Sequence, residues 1–251
     1  MTAVSSAPIV PTPRQRRRGL LLILALGVAL CCWKLGSTGL VDETPPLFAA
    51  SGRAMAETGD WLTPRVNGLP RFDKPPLVYW LMGLGYALPG HQLWDPLGTW
   101  AARLPSALAS VVTMLAIGDT LMRHPGSEDD HPRRTAVAAA LAFGLSPLVL
   151  IWSRTAVSDA LLNGTLALSL LCQWRCYVSE SERRWWLAWI LLATAVLTKG
   201  PVAVVLTGMT LLLFAITRRD LAGLWRRLRP LPGLLITACL LYTSPSPRDW
   251  T

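Results

Sequence analysis

The sequence predicts an all-α protein that crosses a membrane several times. Apolar residues make up 52% of the 251 residues and charged residues only 16%, so the chain has too few charges to cover a soluble globule. The apolar residues gather in runs close to the length of a membrane span, and basic residues gather between the runs. These patterns favour a transmembrane helix bundle over a soluble helical bundle, the alternative that composition alone leaves open.

Six apolar runs and the start of a seventh approach the length of a span, which is about 20 residues at about 1.5 Å each. They cover residues 19–41, 99–122, 135–152, 160–178, 185–198 and 202–217, with a start at 231. The basic segment 14–18 before the first run also fits a signal sequence, but no small-x-small cleavage site follows, so we interpret this run as an uncleaved span. The sequence therefore predicts a transmembrane domain over residues 19–241.

The distribution of the net charge of +9 predicts the topology. Basic clusters follow every second run, as the positive-inside rule expects of cytoplasmic loops, whereas a nucleic-acid interface would gather cations on one face with aromatic residues between them. The clusters are residues 14–18, Arg123 with Arg133 and Arg134, Arg175 with Arg183 and Arg184, and residues 218–229. The prediction is a cytoplasmic tail over residues 1–18 and no nucleic-acid partner.

Residues 42–98 are predicted to form one long external loop. Within it, residues 77–88 are apolar but too short to cross, and counting them as a span would place the last basic cluster outside. We expect an interfacial or re-entrant helix there, with Tyr79, Trp80 and Tyr86 in the headgroup layer. All five cysteines lie outside this loop, in apolar segments, so no disulfide framework is predicted.

Two adjacent carboxylates, Asp42 and Glu43, follow the first span. Thr44 is suited to cap a helix, which we expect to run to about Thr58 and to end at Gly59. The carboxylates would then lie on a hinge between a membrane helix and a surface helix, where charge is costly to bury and is a candidate for function. The alternative is an acidic anchor at the membrane interface.

Three cations, Arg65, Arg71 and Lys74, lie on a loop punctuated by proline and glycine. Such a loop can direct cations at a phosphate group near the membrane surface and neutralise the charge of a leaving group. All three are therefore candidate substrate-binding residues. Passive binding of anionic lipid headgroups is the alternative that the local sequence leaves open.

Several short motifs follow one another along the chain. They are Asp-Glu at 42–43, Gly-Asp-Trp-Leu-Thr-Pro-Arg at 59–65, Phe-Asp-Lys-Pro-Pro-Leu-Val-Tyr-Trp at 72–80, Ala-Arg-Leu-Pro-Ser-Ala at 102–107, Ser-Pro at 146–147, Ser-Arg at 153–154, Ser-Asp-Ala at 158–160 and Leu-Thr-Lys-Gly-Pro at 197–201. Each alone is weak. The ordered set resembles the aminoarabinose transferase and protein O-mannosyltransferase superfamily over roughly residues 19–238.

The resemblance implies a GT-C-like bundle with its active site at the external ends of the first helices. It implies transfer of a sugar, usually with inversion, from a polyprenyl-phosphate carrier to a lipid, glycan or protein acceptor at a bacterial-type inner membrane. Full members are roughly twice as long, so the chain is expected to be an N-terminal part of such an enzyme. Such a part is expected to lack some of the groups that activity needs.

The resemblance also implies residue roles. Asp42 matches the position of the base that takes the proton of the acceptor hydroxyl, with Glu43 orienting it. Lys74 matches the lysine of the family Lys-Pro-Pro motif and is a candidate ligand of the donor phosphate. Asp73 beside it is a candidate ligand of the sugar or of a divalent metal, a requirement that varies across the superfamily.

Asp159 and Lys199 lie at two later turns, which the topology places on the external side. Asp159 matches an acidic position of the family pattern, and the run before Lys199 is short enough to set its turn below the membrane surface. Both are candidate substrate-binding residues. A plain turn aspartate and a lysine that reaches to the interface are the alternatives.

One stretch departs from the family pattern, as the short length also does, and the last ten residues look foreign to it. Residues 45–48 replace the Arg-Tyr or similar pair that many relatives carry after Asp-Glu, which puts the preference for sugar and acceptor in doubt. Residues 242–251 turn abruptly polar with two prolines, and we expect them to be a non-native tail.

A multi-span transporter or flippase is the rival function, but the sequence lacks the internal repeat that is typical of transporters.

Overall fold

The computed structural model describes residues 10–179 and 184–242, which are almost entirely helical. The elements within these ranges are α1 (Pro13–Cys32), α2 (Thr44–Thr58), β1 (Arg65–Val66), β2 (Leu69–Pro70), α3 (Leu77–Tyr86), α4 (His91–Trp94), α5 (Thr99–Arg123), α6 (Pro132–Gly144), α7 (Pro147–Ser153), α8 (Ser158–Val178), α9 (Trp185–Lys199), α10 (Val202–Arg218), α11 (Leu221–Leu228) and α12 (Pro230–Tyr242). The two strands pair antiparallel as a short hairpin. The predicted tail beyond residue 242 lies outside the described residues.

Helix α1 begins with a capping box and ends earlier than the sequence predicted. The hydroxyl of Thr12 accepts the backbone N–H of Gln15, whose side chain accepts the backbone N–H of Thr12 in return. The helix ends at Cys32, and Lys34 has a φ of 50°, in the left-handed region. The predicted span over residues 19–41 is therefore wrong at its end, because the chain turns away after Cys32.

Helix α5 is the described helix that is long and apolar enough to cross a membrane by itself, and α6 with α7 would count as one further, bent span. Helices α3, α9, α10 and α12 are apolar but shorter. The four arginines in the first turns of α1 lower the mean hydropathy of that helix. By length and composition the described helices thus fall short of the six full spans that the sequence predicted.

The predicted run 135–152 is divided into α6 and α7, which meet at an angle of 67°. Ser146 between them is extended, with φ −56° and ψ 129°, because the ring of a following proline disfavours the helical conformation. Pro147 then opens α7, where its missing N–H costs nothing. This proline explains the break.

Helix α5 occupies the centre of the bundle and contacts α1, α3, α6 and α8. Small residues let the helices approach closely. A Cβ added at Gly164 of α8 would meet the Cβ of Ala109 at 2.9 Å, and one at Gly27 of α1 would meet Val111 at 3.4 Å. Such contacts between small residues are typical of helices packed within membranes.

The two ends of the bundle differ in charge. At one end Asp119 forms ion pairs with Arg16, Arg123 and Arg175, which belong to α1, α5 and α8. We call this the basic end. The opposite end, which we call the loop end, carries residues 33–98, and the turns before α8 and α10 lie there because consecutive long helices alternate in direction.

Helices α2 and α3 cover the loop end. Helix α2 has the predicted bounds, with Gly59 at its end in the left-handed conformation (φ 74°), although Glu43 and not Thr44 occupies the N-cap position. Helix α3 is short, as predicted. Its Tyr79 and Tyr86 are 0% and 2% exposed, so these two rings pack inside the protein and the expectation that they face lipid headgroups is wrong.

Candidate functional site

Asp42 and Glu43 form the last turn before α2, and both are exposed. Asp42 has a φ of 81°, a region that residues with a side chain rarely adopt and that costs of order 1–3 kcal/mol. Its Oδ1 accepts a hydrogen bond from the backbone N–H of Glu43 at 2.8 Å. The local backbone therefore holds the carboxylate of Asp42 in a defined position that faces solvent.

Arg103 of α5 fixes the segment that leads to Asp42. Its side chain is buried, and Nη1 donates to the carbonyl oxygens of Leu35 at 2.7 Å and Thr38 at 2.9 Å. Nη2 donates to the carbonyl oxygen of Gly39 at 2.8 Å. One guanidinium group thus binds three carbonyls of the chain between α1 and Asp42, which compensates for the absence of regular structure there.

Arg154, in the turn before α8, binds the end of α1. Its Nη1 donates to the carbonyl oxygen of Leu30 at 3.1 Å and its Nη2 to that of Trp33 at 2.7 Å. A cation at a helix C-terminus satisfies carbonyls that lack a partner within the helix. The sequence motifs contained Arg103 and Arg154, but the sequence analysis assigned a role to neither. The signal that could have identified them is the position of each arginine at the edge of an apolar run.

The loop after α2 is ordered by Asp60, whose Oδ1 accepts the backbone N–H groups of Leu62 and Thr63, each at 3.1 Å. The bond from Thr63 lowers the pKa of Asp60. Arg65, a predicted binding residue, lies 3.7 Å from the second oxygen of Asp60. The charge of Arg65 is therefore partly compensated within the loop.

Arg71, Asp73 and Tyr79 form a connected group. Nε and Nη2 of Arg71 donate to the two oxygens of Asp73 at 3.1 and 2.7 Å, and the hydroxyl of Tyr79 donates to Oδ1 at 2.7 Å. Burial raises the pKa of Asp73, but the bonds from Tyr79 and Arg71 outweigh it, so the pKa lies below its ordinary value. Asp73 is therefore a carboxylate that holds Arg71 in place.

Lys74 is half-buried and follows this group directly. Its charge contributes to the lowered pKa of Asp73. Within the described ranges it forms neither a salt bridge nor a hydrogen bond, whereas Arg65 and Arg71 each pair with an aspartate of the same loop. Of the three predicted cations, Lys74 therefore has the charge most available to an added anion.

Asp159 and Lys199 meet directly, so the two turns that carry them lie at the same end of the bundle. The ammonium group of Lys199 forms a salt bridge with Oδ1 of Asp159, and both side chains are about one-third exposed, at 34% and 36%. Gly200 after Lys199 has a φ of 81°, which lets the chain reverse into α10. The pair joins the start of α8 to the end of α9.

One hydrophobic cluster joins these groups at the loop end. It contains Phe48 of α2, Tyr79 of α3, Ala102 of α5 and Ala156 of the turn before α8, and Leu40 packs against it. Helix α3 also contacts α9, which carries Lys199. The structure thus places every predicted site residue on one end, but as separate clusters rather than as one network of contacts.

The described residues offer no group of three His, Cys, Asp or Glu side chains that would hold a metal ion. Asp73 was the candidate metal ligand. Both of its oxygens already accept hydrogen bonds from Arg71, and one of them accepts a further bond from Tyr79. The geometry therefore favours the positioning of Arg71 as the role of Asp73.

The predicted fold class, an all-α bundle of the GT-C-like membrane type, is confirmed by comparison with solved structures. The crystal structure of ArnT from Cupriavidus metallidurans in the apo state matches with a TM-score of 0.77 and 28% sequence identity, over 90% of this chain and 41% of that chain. The structure of ArnT from the same organism bound to undecaprenyl phosphate matches with a TM-score of 0.73 and 28% identity, over 89% of this chain and 40% of that chain.

The chain belongs to the dolichyl-phosphate-mannose-protein mannosyltransferase family, whose model matches residues 73–247. It is 30% identical over 235 residues to an undecaprenyl phosphate-alpha-4-amino-4-deoxy-L-arabinose arabinosyl transferase of Pseudomonas aeruginosa, covering 92% of this chain and 40% of the relative. An uncharacterized protein of Aquifex aeolicus is 30% identical over 198 residues, covering 79% of this chain and 38% of the relative. The chain thus spans about two fifths of these relatives, and the predicted family is confirmed.

Proposed function

We propose that this chain forms the base-bearing and donor-binding part of an integral-membrane glycosyltransferase. The enzyme would move a sugar from a polyprenyl-phosphate carrier to a lipid, glycan or protein acceptor, with inversion, on the non-cytoplasmic face of the inner membrane. The observation that carries the proposal is the strained, exposed carboxylate of Asp42 on a segment held by a buried arginine. Strain of this kind persists where the surroundings maintain it, as is typical of active sites.

Asp42 would act as the general base. The oxygen of the acceptor hydroxyl attacks the anomeric carbon, the bond from that carbon to the phosphate oxygen breaks, and the hydroxyl proton passes to the carboxylate of Asp42. Glu43 lies beside it and would orient the acceptor or the water around the base. The hydrogen bond from the backbone of Glu43 to Asp42 supports this assignment, because it leaves the carboxylate oriented before substrate arrives.

Lys74 would bind the phosphate of the donor. The leaving phosphate gains negative charge as the bond breaks, and a fixed cation lowers the free energy of that state. Arg71, held by Asp73, and Arg65, held by Asp60, would add to the positive potential around the headgroup. The names of the relatives support the donor class, since one crystal structure of ArnT contains undecaprenyl phosphate and the Pseudomonas relative is named for a sugar carried on it.

The salt bridge between Asp159 and Lys199 would border the same binding region. A donor phosphate or a sugar hydroxyl can exchange partners with either member of this partly exposed pair, because a partly exposed salt bridge contributes little free energy. The family match and the carboxylate geometry favour a transferase over the transporter considered from the sequence.

The proposal is tested by measuring sugar transfer in membranes that contain the full-length enzyme and a radiolabelled polyprenyl-phosphate sugar. Asn tolerates the left-handed region as well as Asp does, so Asp42→Asn removes the base without disturbing the backbone. We expect a rate loss of about 10²- to 10⁴-fold, the usual contribution of a general base. Glu43→Gln, which neutralises the neighbouring exposed carboxylate, is the matched control and should lose much less. Equal rates for Asp42→Asn and the wild type would remove Asp42 as the base.

A further inference from the structure

A charged cavity lies at the basic end, opposite the groups assigned to sugar transfer. It has a volume of about 720 Å³ and opens between α1, α5 and α8. Its wall is apolar and its rim is charged. The apolar wall is formed by Leu20, Leu21, Leu24, Val112 and Leu115, and the charged rim by Arg16, Arg17, Arg175 and Asp119.

The rim carries an excess of positive charge, with three arginines and one aspartate. Arg16 donates to Asp119 at 2.6 Å and Arg175 donates to it at 2.9 Å, so the carboxylate fixes both guanidinium groups. Asp119 is only 15% exposed and Arg175 only 17%. Arg17 is exposed on the rim and pairs with no carboxylate in the described part of the chain.

The wall offers a surface suited to a hydrocarbon chain. Leu21 and Leu24 of α1 are 55% and 39% exposed, and Val112 of α5 is 44% exposed. Exposure of these apolar side chains to water is unfavourable, and an acyl chain lying against them would remove it. The cationic rim and the apolar wall therefore match the two parts of an anionic phospholipid. Its headgroup would lie against the rim, and its acyl chain would run along the wall toward the middle of the bundle.

We propose that this cavity binds an anionic phospholipid of the membrane leaflet at the basic end. Guanidinium groups match the oxygens of a phosphate, and basic pockets between membrane helices on the cytoplasmic side are suited to anionic headgroups. The lipid would join α1, α5 and α8 and so stabilise the end of the bundle opposite the transfer site. The inference depends on membrane insertion but not on the assignment of Asp42 or Lys74.

The test uses the protein in nanodiscs of phosphatidylglycerol and phosphatidylcholine, with the retained lipids identified by native mass spectrometry. Arg17→Gln removes the unpaired rim charge without breaking the bonds to Asp119. Arg18→Gln is the matched control, because Arg18 is the next residue of α1, is also exposed and does not line the cavity. Leu24→Trp fills the apolar wall and leaves all charges in place.

We expect the wild type to retain phosphatidylglycerol selectively. Arg17→Gln should lower this enrichment about fivefold, as about 1 kcal/mol per cation near the surface implies, and Leu24→Trp should also lower it. Arg18→Gln should leave it unchanged. The proposal is overturned if the wild type has no lipid preference, if Arg18→Gln has the same effect as Arg17→Gln, or if added undecaprenyl phosphate displaces the bound phosphatidylglycerol. Sugar transfer can fail in the assay above without affecting this result.

Discussion

Asp42 combines a left-handed backbone with a solvent-facing carboxylate. The sequence could single out this residue, because acidic residues at the edge of a span are costly and the family motif begins there. It could not predict the positive φ of Asp42, nor that Arg103, on a helix more than sixty residues later in the chain, binds the carbonyls of the preceding segment. The type of residue was thus visible in the sequence, and its conformation was not.

Lys74 differs from its neighbours because its charge is the least compensated in the loop. We expect Lys74→Gln to lower kcat/KM for the polyprenyl-phosphate donor about 10- to 100-fold, since a hydrogen bond to a charged group contributes about 1.5–3 kcal/mol. Initial rates over a range of donor concentrations measure this. Lys34→Asn is the matched control, because Lys34 is an exposed lysine at the loop end with a φ of 50° that Asn tolerates. An unchanged kcat/KM in Lys74→Gln would contradict its assigned role.

The lowered pKa of Asp73 gives a prediction for stability against pH. A carboxyl group with a lowered pKa in the folded state stabilises the protein above its unfolded pKa of about 3.9 and loses this contribution as the pH falls through the folded value. The wild type should therefore have a higher melting temperature than Asp73→Asn at pH 5 to 7, and the difference should shrink as the pH falls below about 3.9 toward the lower folded pKa. Thermal unfolding of the two proteins across this range measures it. A melting-temperature difference that grows as the pH falls would contradict a lowered pKa of Asp73.

Among the elements, α2 was predicted with its correct bounds and the first span was not. Helix α2 is delimited by local signals, a proline in its first turn and Gly59 in the left-handed conformation at its end. The predicted first span ran on to residue 41 across the turn-forming segment 36–39, whereas α1 ends at Cys32, where Arg154 from another part of the chain binds the carbonyls of Leu30 and Trp33. The Asn67-Gly68 hairpin is a local signal that sequence reasoning overlooked, with φ values of 51° and 80° that suit such a turn.

The linker between α1 and α2 should depend on the guanidinium group of Arg103. Lysine keeps the charge but cannot donate to three carbonyls in a fixed fork, so Arg103→Lys should lower kcat for sugar transfer at least tenfold with little change in the donor KM. Arg154→Lys is the control, because Arg154 holds the end of α1 and not residues 38 and 39. Kinetics of the two variants at matched melting temperature separate positioning from stability. Equal losses of kcat in both would show that only general stability is involved.

At the scale of the whole molecule, the alternation of basic clusters predicted which ends lie together. The arginines of α1, α5 and α8 do meet around Asp119, and the predicted site residues gather at the other end. By length and composition the described helices include fewer full spans than the six predicted, because the chain bends before Pro147 and α1 begins within the arginine segment. Charge patterning thus predicted the arrangement of the bundle better than hydropathy predicted its helix lengths.

In the proposed mechanism the base carboxylate and the phosphate-binding lysine face one compartment, and the basic end faces the other. The direct measurement is labelling of single cysteines with a membrane-impermeant maleimide, in a protein whose five native cysteines are replaced by serine. Cysteines at positions 43 and 74 should react from the periplasmic side, and one at position 128, in the loop after α5, only after the membrane is permeabilised. Reaction of positions 43 and 74 from opposite sides would contradict the account.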